Sequence, residues 1–301
     1  MSKAVVLVTA PNLSAAAIEI LRDAQAEVHY MQGAITEDAL IGAITQHGIN
    51  AILLRASPPL TKRVLEAGAH LKIIAKHGAG VDSVDIDAAT ARGIVVVTAG
   101  DANADAVAEQ SIMFMLALSR ELPKYQQSLR DGQWVKGGSV GREFRGRTVG
   151  IVGYGQIGSR TAKSAHALGA KVVLLSRSKI ANPDGMEVED DLDRLLKRVD
   201  ILSLHCPLTD ETRQMVGAAQ LARMKPDAVL INTARGALVD IDALARGLRD
   251  GRPGGAALDV LPEEPPDPDQ ELLAAWRLQP TWLAGRLIIT PHAAYYSPDA
   301  V

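Results

Sequence analysis

Three side chains that could bind an anion and move a proton follow apolar segments in the second half of the sequence: Arg235, Glu264 and His292. A histidine exchanges a proton near neutral pH, and a carboxylate beside it favours the imidazolium form. An arginine stabilises negative charge on a substrate oxygen. Residues of these types could carry out acid–base chemistry on an anionic substrate where a fold brings them together. Their spacing alone leaves another interpretation open, in which the arginine and glutamate are solvated and the histidine is structural.

A glycine-rich loop with the spacing G-x-G-x-x-G lies earlier in the chain, after a predicted strand and before a predicted helix. In that context the first glycine makes the turn, the second lets the backbone approach a pyrophosphate, and the third packs the helix on the strand. The helix N-terminus attracts the phosphate charge. An ordinary glycine-rich turn is the alternative. The cofactor-binding residues predicted in this loop are Gly153, Gly155, Gln156, Ile157 and Gly158.

The end of the next predicted strand indicates which cofactor is preferred. An NAD site commonly holds the ribose 2′-hydroxyl with an acidic residue at this point. Ser176, Arg177 and Ser178 stand here instead, and the first carboxylate is that of Asp184. An arginine donates forked hydrogen bonds that suit a 2′-phosphate. We therefore predict that NADP(H) is preferred over NAD(H); a solvated Arg177 is the alternative.

The elements that must position these residues alternate along the whole chain. Short apolar strands are predicted at 5–9, 28–30, 51–55, 71–76, 94–98, 148–152, 171–175, 201–205, 228–232, 255–259 and 287–290. Helices are predicted between them, and such alternation is typical of an α/β protein with doubly wound parallel sheets. The carboxyl ends of such strands meet at one edge of a sheet, where ligands bind. The three candidate catalytic residues should therefore converge.

Length predicts more than one domain, since 301 residues exceed what a single core usually supports. We expect a first domain over 1–98 and a second over 99–290. The second domain includes a long apolar helix over 104–122 and a polar, glycine-rich arm that ends near 147. The last segment, 291–301, would begin a return to the first domain.

Composition narrows the class of protein. The formal net charge is −3, so no basic field that would recruit nucleic acid is expected. One cysteine, Cys206, allows no internal disulfide and no cysteine–histidine zinc cluster, and we expect no metal. No apolar stretch reaches the roughly 18 residues of a membrane span. The apolar N-terminal residues are better explained as a first strand than as a signal peptide. We therefore expect a cytoplasmic protein.

Four motifs occur in the order found in one family. They are G-I-V-G-Y-G-Q-I-G at 150–158, I-N-T-A-R-G at 231–236, A-L-D-V-L-P-E-E-P at 257–265 and T-P-H-A-A at 290–294. Over about 51–297 the chain resembles the D-isomer-specific 2-hydroxyacid dehydrogenases. That resemblance implies a flavodoxin-like substrate domain and a Rossmann NAD(P)-binding domain. It also implies hydride transfer between NAD(P)H and a small 2-keto or D-2-hydroxy acid, such as hydroxypyruvate, glyoxylate or a phosphoglycerate-like acid.

The resemblance assigns roles to individual residues. Arg235 would bind the substrate carboxylate, His292 would be the general acid and base, and Glu264 would favour its protonated form. Further cofactor contacts would come from Cys206, Pro207, Thr233, Ala234 and Asp259. Substrate contacts in the first domain would come from Arg55, Lys76, Ala79 and Gly80. Lys76 stands where the family usually has arginine, and the neighbouring His77 is atypical.

The resemblance also leaves a second function open. Residues 293–297 are similar to the corepressor branch of the family, whose members bind nucleotide as sensors. Fold alone does not separate an enzyme from such a sensor. The sequence shows no basic tail, and this favours the enzyme. A homodimer is expected through the long helix and the arm, because residues 113–116 are all apolar and cannot all face one core.

Overall fold

A computed structural model describes residues 3–297, apart from 34, 56–57, 79, 137–139, 178–179 and 181–183. Among these residues the chain divides into two compact units. One consists of the residues up to Asn103 together with Ser297, and the other is Ala104–Tyr296. The division falls a few residues after the predicted boundary at 98. The turn at 99–103 stays with the first unit because the Ala99 amide donates to the carbonyls of Lys76 and Gly78.

The described part of the first unit contains one five-stranded parallel sheet in the order β2-β1-β3-β4-β5. Its strands are β1 (Val5–Val8), β2 (Glu27–Tyr30), β3 (Ala51–Leu54), β4 (Ile73–Lys76) and β5 (Val95–Thr98). Its helices are α1 (Ala15–Asp23), α2 (Glu37–His47), α3 (Lys62–Ala67) and α4 (Ile86–Ala91). This is the flavodoxin-like strand order. Residue types predict where the helices begin, since Ser14, Thr36, Thr61 and Asp85 each cap one through the side-chain oxygen.

Both faces of this sheet are covered by helices. Val6 and Val8 point to a small cluster that includes Leu21 of α1. Leu7 points to the opposite side, where Leu40 of α2 and Val64 of α3 are fully buried. Successive residues of β1 therefore face different cores, as expected for a strand buried on both sides. This packing fixes the carboxyl ends of β3 and β4, which carry the predicted substrate residues.

The described part of the second unit contains a seven-stranded parallel sheet in the order β12-β11-β10-β9-β6-β7-β8. Its strands are β6 (Thr148–Val152), β7 (Lys171–Leu175), β8 (Glu187–Glu189), β9 (Ile201–Leu204), β10 (Val229–Asn232), β11 (Gly255–Leu258) and β12 (Leu287–Ile289). Its helices are α5 (Ala104–Ser119), α6 (Leu122–Arg130), α7 (Gln156–Ala167), α8 (Leu192–Arg198), α9 (Ala218–Arg223), α10 (Ile241–Arg249) and α11 (Glu271–Leu278). This is the Rossmann order with one strand added at the β12 edge.

Two cores sandwich this second sheet. On one side Phe114 and Met115 of α5 pack against Ile151 and Leu174. On the other side a larger cluster contains Leu204 and the buried leucines of α8, α9 and α10. The predicted fold class, two doubly wound parallel sheets, is confirmed. No helix within the described residues is long and apolar enough to cross a membrane.

The segment after α5 differs from the prediction. The sequence predicts one long helix over 104–122, followed by an arm that ends near 147. In the structure α5 ends at Ser119, and α6 begins at Leu122 with Pro123 in its first turn. Proline is tolerated there because its missing N–H would have no partner in the helix. Glu121, with φ of 53°, makes the break between the two helices.

Candidate active site

Arg235, Glu264 and His292 line one pocket in the second unit, at the carboxyl ends of β10, β11 and β12. The other residues of the pocket wall are Leu208, Gly236, Ala237, Val260, Leu261 and Pro262. Three segments far apart in sequence therefore bring an arginine, a carboxylate and an imidazole together. The wall is otherwise mainly apolar, and such surroundings strengthen charge interactions with a small bound ion.

His292 and Glu264 form a direct hydrogen bond. Nδ1 of the imidazole lies 2.5 Å from Oε2 of the carboxylate. The other carboxylate oxygen, Oε1, accepts from the backbone N–H of Leu261 at 3.0 Å. Burial alone would raise the pKa of Glu264, but the hydrogen bond to His292, the Leu261 amide and the nearby charge of Arg235 hold that pKa below its usual value. Glu264 is therefore a carboxylate at neutral pH, and Nε2 is the histidine nitrogen left to face a substrate.

The backbone at His292 is held in an unusual conformation. Its φ is 52°, in the left-handed region that side chains other than glycine rarely adopt. The buried Asp259 carboxylate stabilises this turn by accepting from the Thr290 hydroxyl at 2.5 Å and from the amides of Ala293 and Ala294 at 2.9 Å each. The His292 amide also donates to the Asp259 carbonyl at 2.7 Å. Asp259, predicted as a cofactor contact, thus orients the loop that carries the histidine.

Arg235 is positioned by Asn232 and Gly236, which are not among the site residues predicted from the sequence. The side chain of Asn232, at the end of β10, accepts from the Ala234 amide at 3.1 Å and donates to the Arg235 carbonyl at 2.9 Å. A Cβ on Gly236 would lie 2.0 Å from the carbonyl carbon of Leu261. Only glycine therefore allows the Arg235 segment to touch the segment that holds Glu264. An asparagine at a strand end and a glycine after the arginine were the available signals.

The glycine-rich loop has the geometry of a dinucleotide site. Gly153 has a φ of 95°, and its Cβ would lie 2.7 Å from the Cys206 nitrogen. A Cβ on Gly158 would lie 2.0 Å from the Gly153 carbonyl oxygen. By contrast, no described atom lies within 4 Å of a Cβ built on Gly155, where α7 begins. The loop therefore packs tightly against neighbouring protein atoms at Gly153 and Gly158, whereas space for a ligand remains beside Gly155.

The start of α7 fits the phosphates of a dinucleotide. No side chain among the described residues caps this helix by a hydrogen bond, so the first amides, beginning at Gln156 and Ile157, are not occupied by a side-chain cap. These amides and the helix dipole suit an anion. The residues present therefore fit a dinucleotide, and Gly153, Gly155, Gln156, Ile157 and Gly158 would hold its pyrophosphate.

The end of β7 carries Ser176 and Arg177, and Ser178 lies outside the described residues. Nη1 of Arg177 lies 3.2 Å from Oε2 of Glu211, a residue in the loop after β9. Glu211 is not among the residues predicted from the sequence for this site. Cys206 and Pro207 begin that same loop. Burial raises the pKa of the Cys206 thiol, and a backbone hydrogen bond and the Arg177 charge offset only part of the rise.

Thr233 and Ala234 lie between the end of β10 and Arg235 in the sequence. The Thr233 hydroxyl is 2.8 Å from the Ser111 hydroxyl of α5, and both residues are buried. The bond fixes the strand end that would run beside the nicotinamide. Among the described residues, no group of three or more histidine, cysteine or acidic side chains could hold a metal ion.

In the first unit, Arg55 and Lys76 lie at the carboxyl ends of the neighbouring strands β3 and β4. The Arg55 amide donates to the Thr9 hydroxyl at 3.0 Å, and the Lys76 ammonium to the His77 carbonyl at 3.3 Å. Burial, followed by the charges of Arg55 and Lys76, lowers the pKa of His77. These residues form a positively charged cluster that suits an anion. Gly80 follows in the next turn, and Ala79 lies outside the described residues.

Comparison with known proteins places the sequence in a group of related enzymes. Residues 112–294 match the family model of the D-isomer specific 2-hydroxyacid dehydrogenase, NAD binding domain. The chain is 37% identical over 298 residues to a D-3-phosphoglycerate dehydrogenase of Methanocaldococcus jannaschii, an alignment that covers 98% of this chain and 54% of that protein. The chain thus spans about half the length of the curated relatives it matches first.

Two further relatives are covered over most of their length. The chain is 37% identical to a hydroxypyruvate reductase of Thermotoga maritima, over 77% of this chain and 75% of that protein. Its structure is similar to that of a glyoxylate reductase from Paecilomyes thermophila, with a TM-score of 0.88 and 29% identity over 100% of this chain and 91% of that chain. These matches run through both units.

Proposed function

Because the chain belongs to the D-isomer specific 2-hydroxyacid dehydrogenase family, we propose that it is an oxidoreductase that transfers a hydride between NADP(H) and a small 2-keto or D-2-hydroxy acid. The observation that carries this proposal is the 2.5 Å hydrogen bond between His292 and Glu264 in a pocket that also contains Arg235. A proton donor, its carboxylate partner and an anion-binding cation are what reduction of a 2-keto acid requires from the protein.

The proposed reduction divides between the cofactor and the protein. The nicotinamide supplies the hydride that adds to C2 of the keto acid when the cofactor is bound. Arg235 binds the carboxylate and stabilises the charge that develops on the C2 oxygen. The imidazolium of His292 then donates its Nε2 proton to that oxygen, since Nδ1 is bonded to Glu264. The product is the 2-hydroxy acid, and His292 is left neutral. Oxidation reverses these steps.

The remaining contacts follow from the same proposal. Cys206, Pro207, Thr233 and Ala234 would line the cofactor, and Asp259 would reach the nicotinamide carboxamide as well as hold the His292 loop. In the first unit, Arg55, Lys76 and the backbone amides of Ala79 and Gly80 would bind substrate. The cationic surroundings of Arg55 and Lys76 suit an acid with a second anionic group. We also propose a homodimer, supported by exposed apolar side chains on α5 and α6.

The test is cofactor oxidation with a panel of 2-keto acids: glyoxylate, hydroxypyruvate, its phosphate, and bulkier branched or aryl acids. Turnover with at least one small acid is expected, and His292→Ala should abolish most of it. Tight cofactor binding without turnover of any acid would contradict the enzyme and support a nucleotide sensor on the same fold.

Cofactor preference is tested by the same assay with both cofactors. Arg177 is proposed to hold the 2′-phosphate, and a charge-assisted contact of this kind is worth about 1.5–3 kcal/mol, or roughly ten- to a hundredfold in affinity. We expect kcat/KM with NADPH to exceed that with NADH by at least about tenfold. Ser176→Asp with Arg177→Ile should reverse the order. Equal values for both cofactors in the unaltered protein would contradict this preference.

A further inference from the structure

An ion pair crosses the end of the strand that leads into the glycine-rich loop. In the sheet, β6 lies between β7 and β9. Arg177 follows β7, Glu211 lies in the loop that follows β9, and their charged atoms are 3.2 Å apart. The loops that follow β7 and β9 are therefore joined by an ion pair beside the carboxyl end of β6, where the glycine-rich loop begins. The adenosine half of a dinucleotide binds at this edge in a Rossmann fold.

Other contacts place the Arg177 charge beside the glycine-rich loop. Arg177 influences the Cys206 thiol electrostatically, and the Cys206 nitrogen would touch a Cβ on Gly153. The Arg177 guanidinium is thus close to the turn at Gly153, beside which the ribose of a bound cofactor would lie. Glu211, as its partner, brings a carboxylate to the same place. A 2′-phosphate that approached Arg177 would meet this carboxylate as well.

The pair is poorly explained as a stabilising contact. The side chains of Arg177 and Glu211 are 69% and 76% exposed. Exposed pairs contribute little to folding, because water and salt screen the charges and two long side chains lose freedom. A weak contact of this kind exchanges partners easily. A phosphate dianion can therefore displace the carboxylate from Arg177.

We propose that Glu211 is a specificity-determining residue that competes with the 2′-phosphate of NADP(H) for Arg177. The inference rests on the proposed role of Arg177 in binding that phosphate. With NADP(H) bound, Arg177 turns from the carboxylate to the phosphate, and Glu211 is left beside a like charge. With NAD(H) bound, no phosphate is present and the ion pair persists. Glu211 thus weakens the binding of NADP(H) but not of NAD(H), and it reduces the preference for NADP(H) that Arg177 creates.

The test is a fluorescence titration of NADPH and NADH against the full chain and its Glu211→Gln variant. At low salt the Kd for NADPH should fall about two- to fivefold, the upper part of the range that one exposed charge pair can supply. The Kd for NADH should change by less than about twofold, because the 2′-hydroxyl is uncharged. High salt should shrink the gain, since it screens exposed charges. Asp210→Asn is the matched control, as it removes the same charge one residue away.

The Arg177→Ala variant separates this inference from the proposed cofactor site. A Kd for NADPH that does not rise in Arg177→Ala would contradict the cofactor site and the inference together. A Kd that rises in Arg177→Ala but does not fall in Glu211→Gln would overturn only the role of Glu211. An equal gain in Asp210→Asn would also overturn it, as a general charge effect. When Arg177→Ala is combined with Glu211→Gln, most of the fall in the Kd for NADPH that Glu211→Gln causes alone should disappear. Without Arg177, no cation holds the carboxylate at the site.

Discussion

At the scale of single residues, the proposed chemistry depends on which nitrogen of His292 would meet the substrate. Nδ1 is bonded to Glu264, and the left-handed turn held by Asp259 fixes the direction of the ring. Only Nε2 remains for the proposed proton transfer. The role of Asp259 as an anchor of this turn could not be predicted from sequence, because it depends on amides 34 and 35 residues further along the chain.

The first prediction concerns the proton itself. His292→Ala should lower turnover by about 10²–10⁴-fold, the usual contribution of a general acid. The Kd for cofactor should be nearly unchanged, because the glycine-rich loop is formed by other segments. Steady-state kinetics and cofactor titration measure the two effects. His166→Ala, an exposed histidine on α7, is the matched control and should keep full activity. Full turnover in His292→Ala would exclude the assigned mechanism.

The second prediction concerns the carboxylate partner. Glu264→Gln keeps a hydrogen-bonding group beside His292 but removes the negative charge that favours the imidazolium. Reduction needs the protonated ring, so the pH at which reductive turnover falls by half should move to lower pH. Oxidation needs the neutral ring, so its rise should move in the same direction. The pH profiles of both reactions measure this. Profiles that coincide with those of the unaltered enzyme would remove Glu264 from the site.

At the scale of elements, the glycine-rich loop shows what a motif can predict. The three glycines, the strand before them and the helix after them were all identified from the sequence, and β6 has the predicted bounds. The helix begins at Gln156, inside the motif rather than after it. The motif predicts different roles for Gly155, which would approach the phosphates, and Gly158, which packs the helix on the strand. The sequence could not show that Gly153 lies against the backbone of His205 and Cys206, since that depends on how the end of β9 packs against the loop.

That difference gives the third prediction. Gly155→Ala should leave folding unchanged, because no described atom surrounds the added methyl group, and its φ of −85° suits alanine. Cofactor binding should weaken by tenfold or more (roughly 1.4 kcal/mol), because the methyl group occupies the place of the phosphates. Gly158→Ala should instead lower the free energy of unfolding by about 1–3 kcal/mol through the clash with Gly153. Urea unfolding and cofactor titration distinguish them. Equal effects of the two changes on stability would contradict this assignment.

The end of β9 carries a histidine whose environment predicts a pH dependence. Burial lowers the pKa of His205 to about 4. Its Nε2 bonds to the Ser203 hydroxyl at 2.8 Å, and Nδ1 has no partner among the described residues. The unfolded chain would protonate this histidine near pH 6.5, whereas the native protein resists protonation until about pH 4. The stabilising effect of the neutral ring is therefore present above pH 6.5 and lost as the pH falls toward 4.

The fourth prediction follows from the lowered pKa of His205. Between pH 6.5 and 4.5 the second unit should lose up to ~1.4 kcal/mol of stability per pH unit through His205. His205→Gln should flatten that slope, whereas His166→Gln, at an exposed position, should not. Urea unfolding followed by tryptophan fluorescence reports on this unit, because Trp134, Trp276 and Trp282 all lie within it. An equal slope in His205→Gln would show that folding does not lower the pKa of His205.

At the scale of the whole molecule, alternation of strands and helices predicted the fold class, and the strand order of each sheet follows the expected flavodoxin-like and Rossmann arrangements. The edge strand β8 was missed, because Glu187–Glu189 is short and two-thirds acidic and lacks the apolar signal of a buried strand. Glu211 was missed for a different reason. A loop carboxylate shows nothing of its partner until the fold places Arg177 beside it.

The last prediction is the oligomeric state. Met113 of α5 is 50% exposed, and Leu122 and Leu129 of α6 are 48% and 54% exposed, which leaves apolar surface on two consecutive helices. Met113 and Leu122 also line one shallow apolar depression with Ile112, Leu116 and Ala117. Contiguous apolar surface of this kind marks an interface more often than scattered single residues do. We expect a homodimer in which a second copy covers this surface.

Sedimentation velocity at micromolar concentration tests this. Met113→Lys combined with Leu122→Lys should convert the dimer to a monomer, because two buried charges without partners would face the second copy. Leu278→Lys is the control: this leucine of α11 is 82% exposed and lies outside the depression, so the dimer should persist. A monomer in the unaltered protein would contradict the prediction, and so would a dimer that survives both lysines. Because Ser111 of this same α5 bonds to Thr233 beside the proposed nicotinamide site, loss of the partner should also reduce turnover more than Leu278→Lys does.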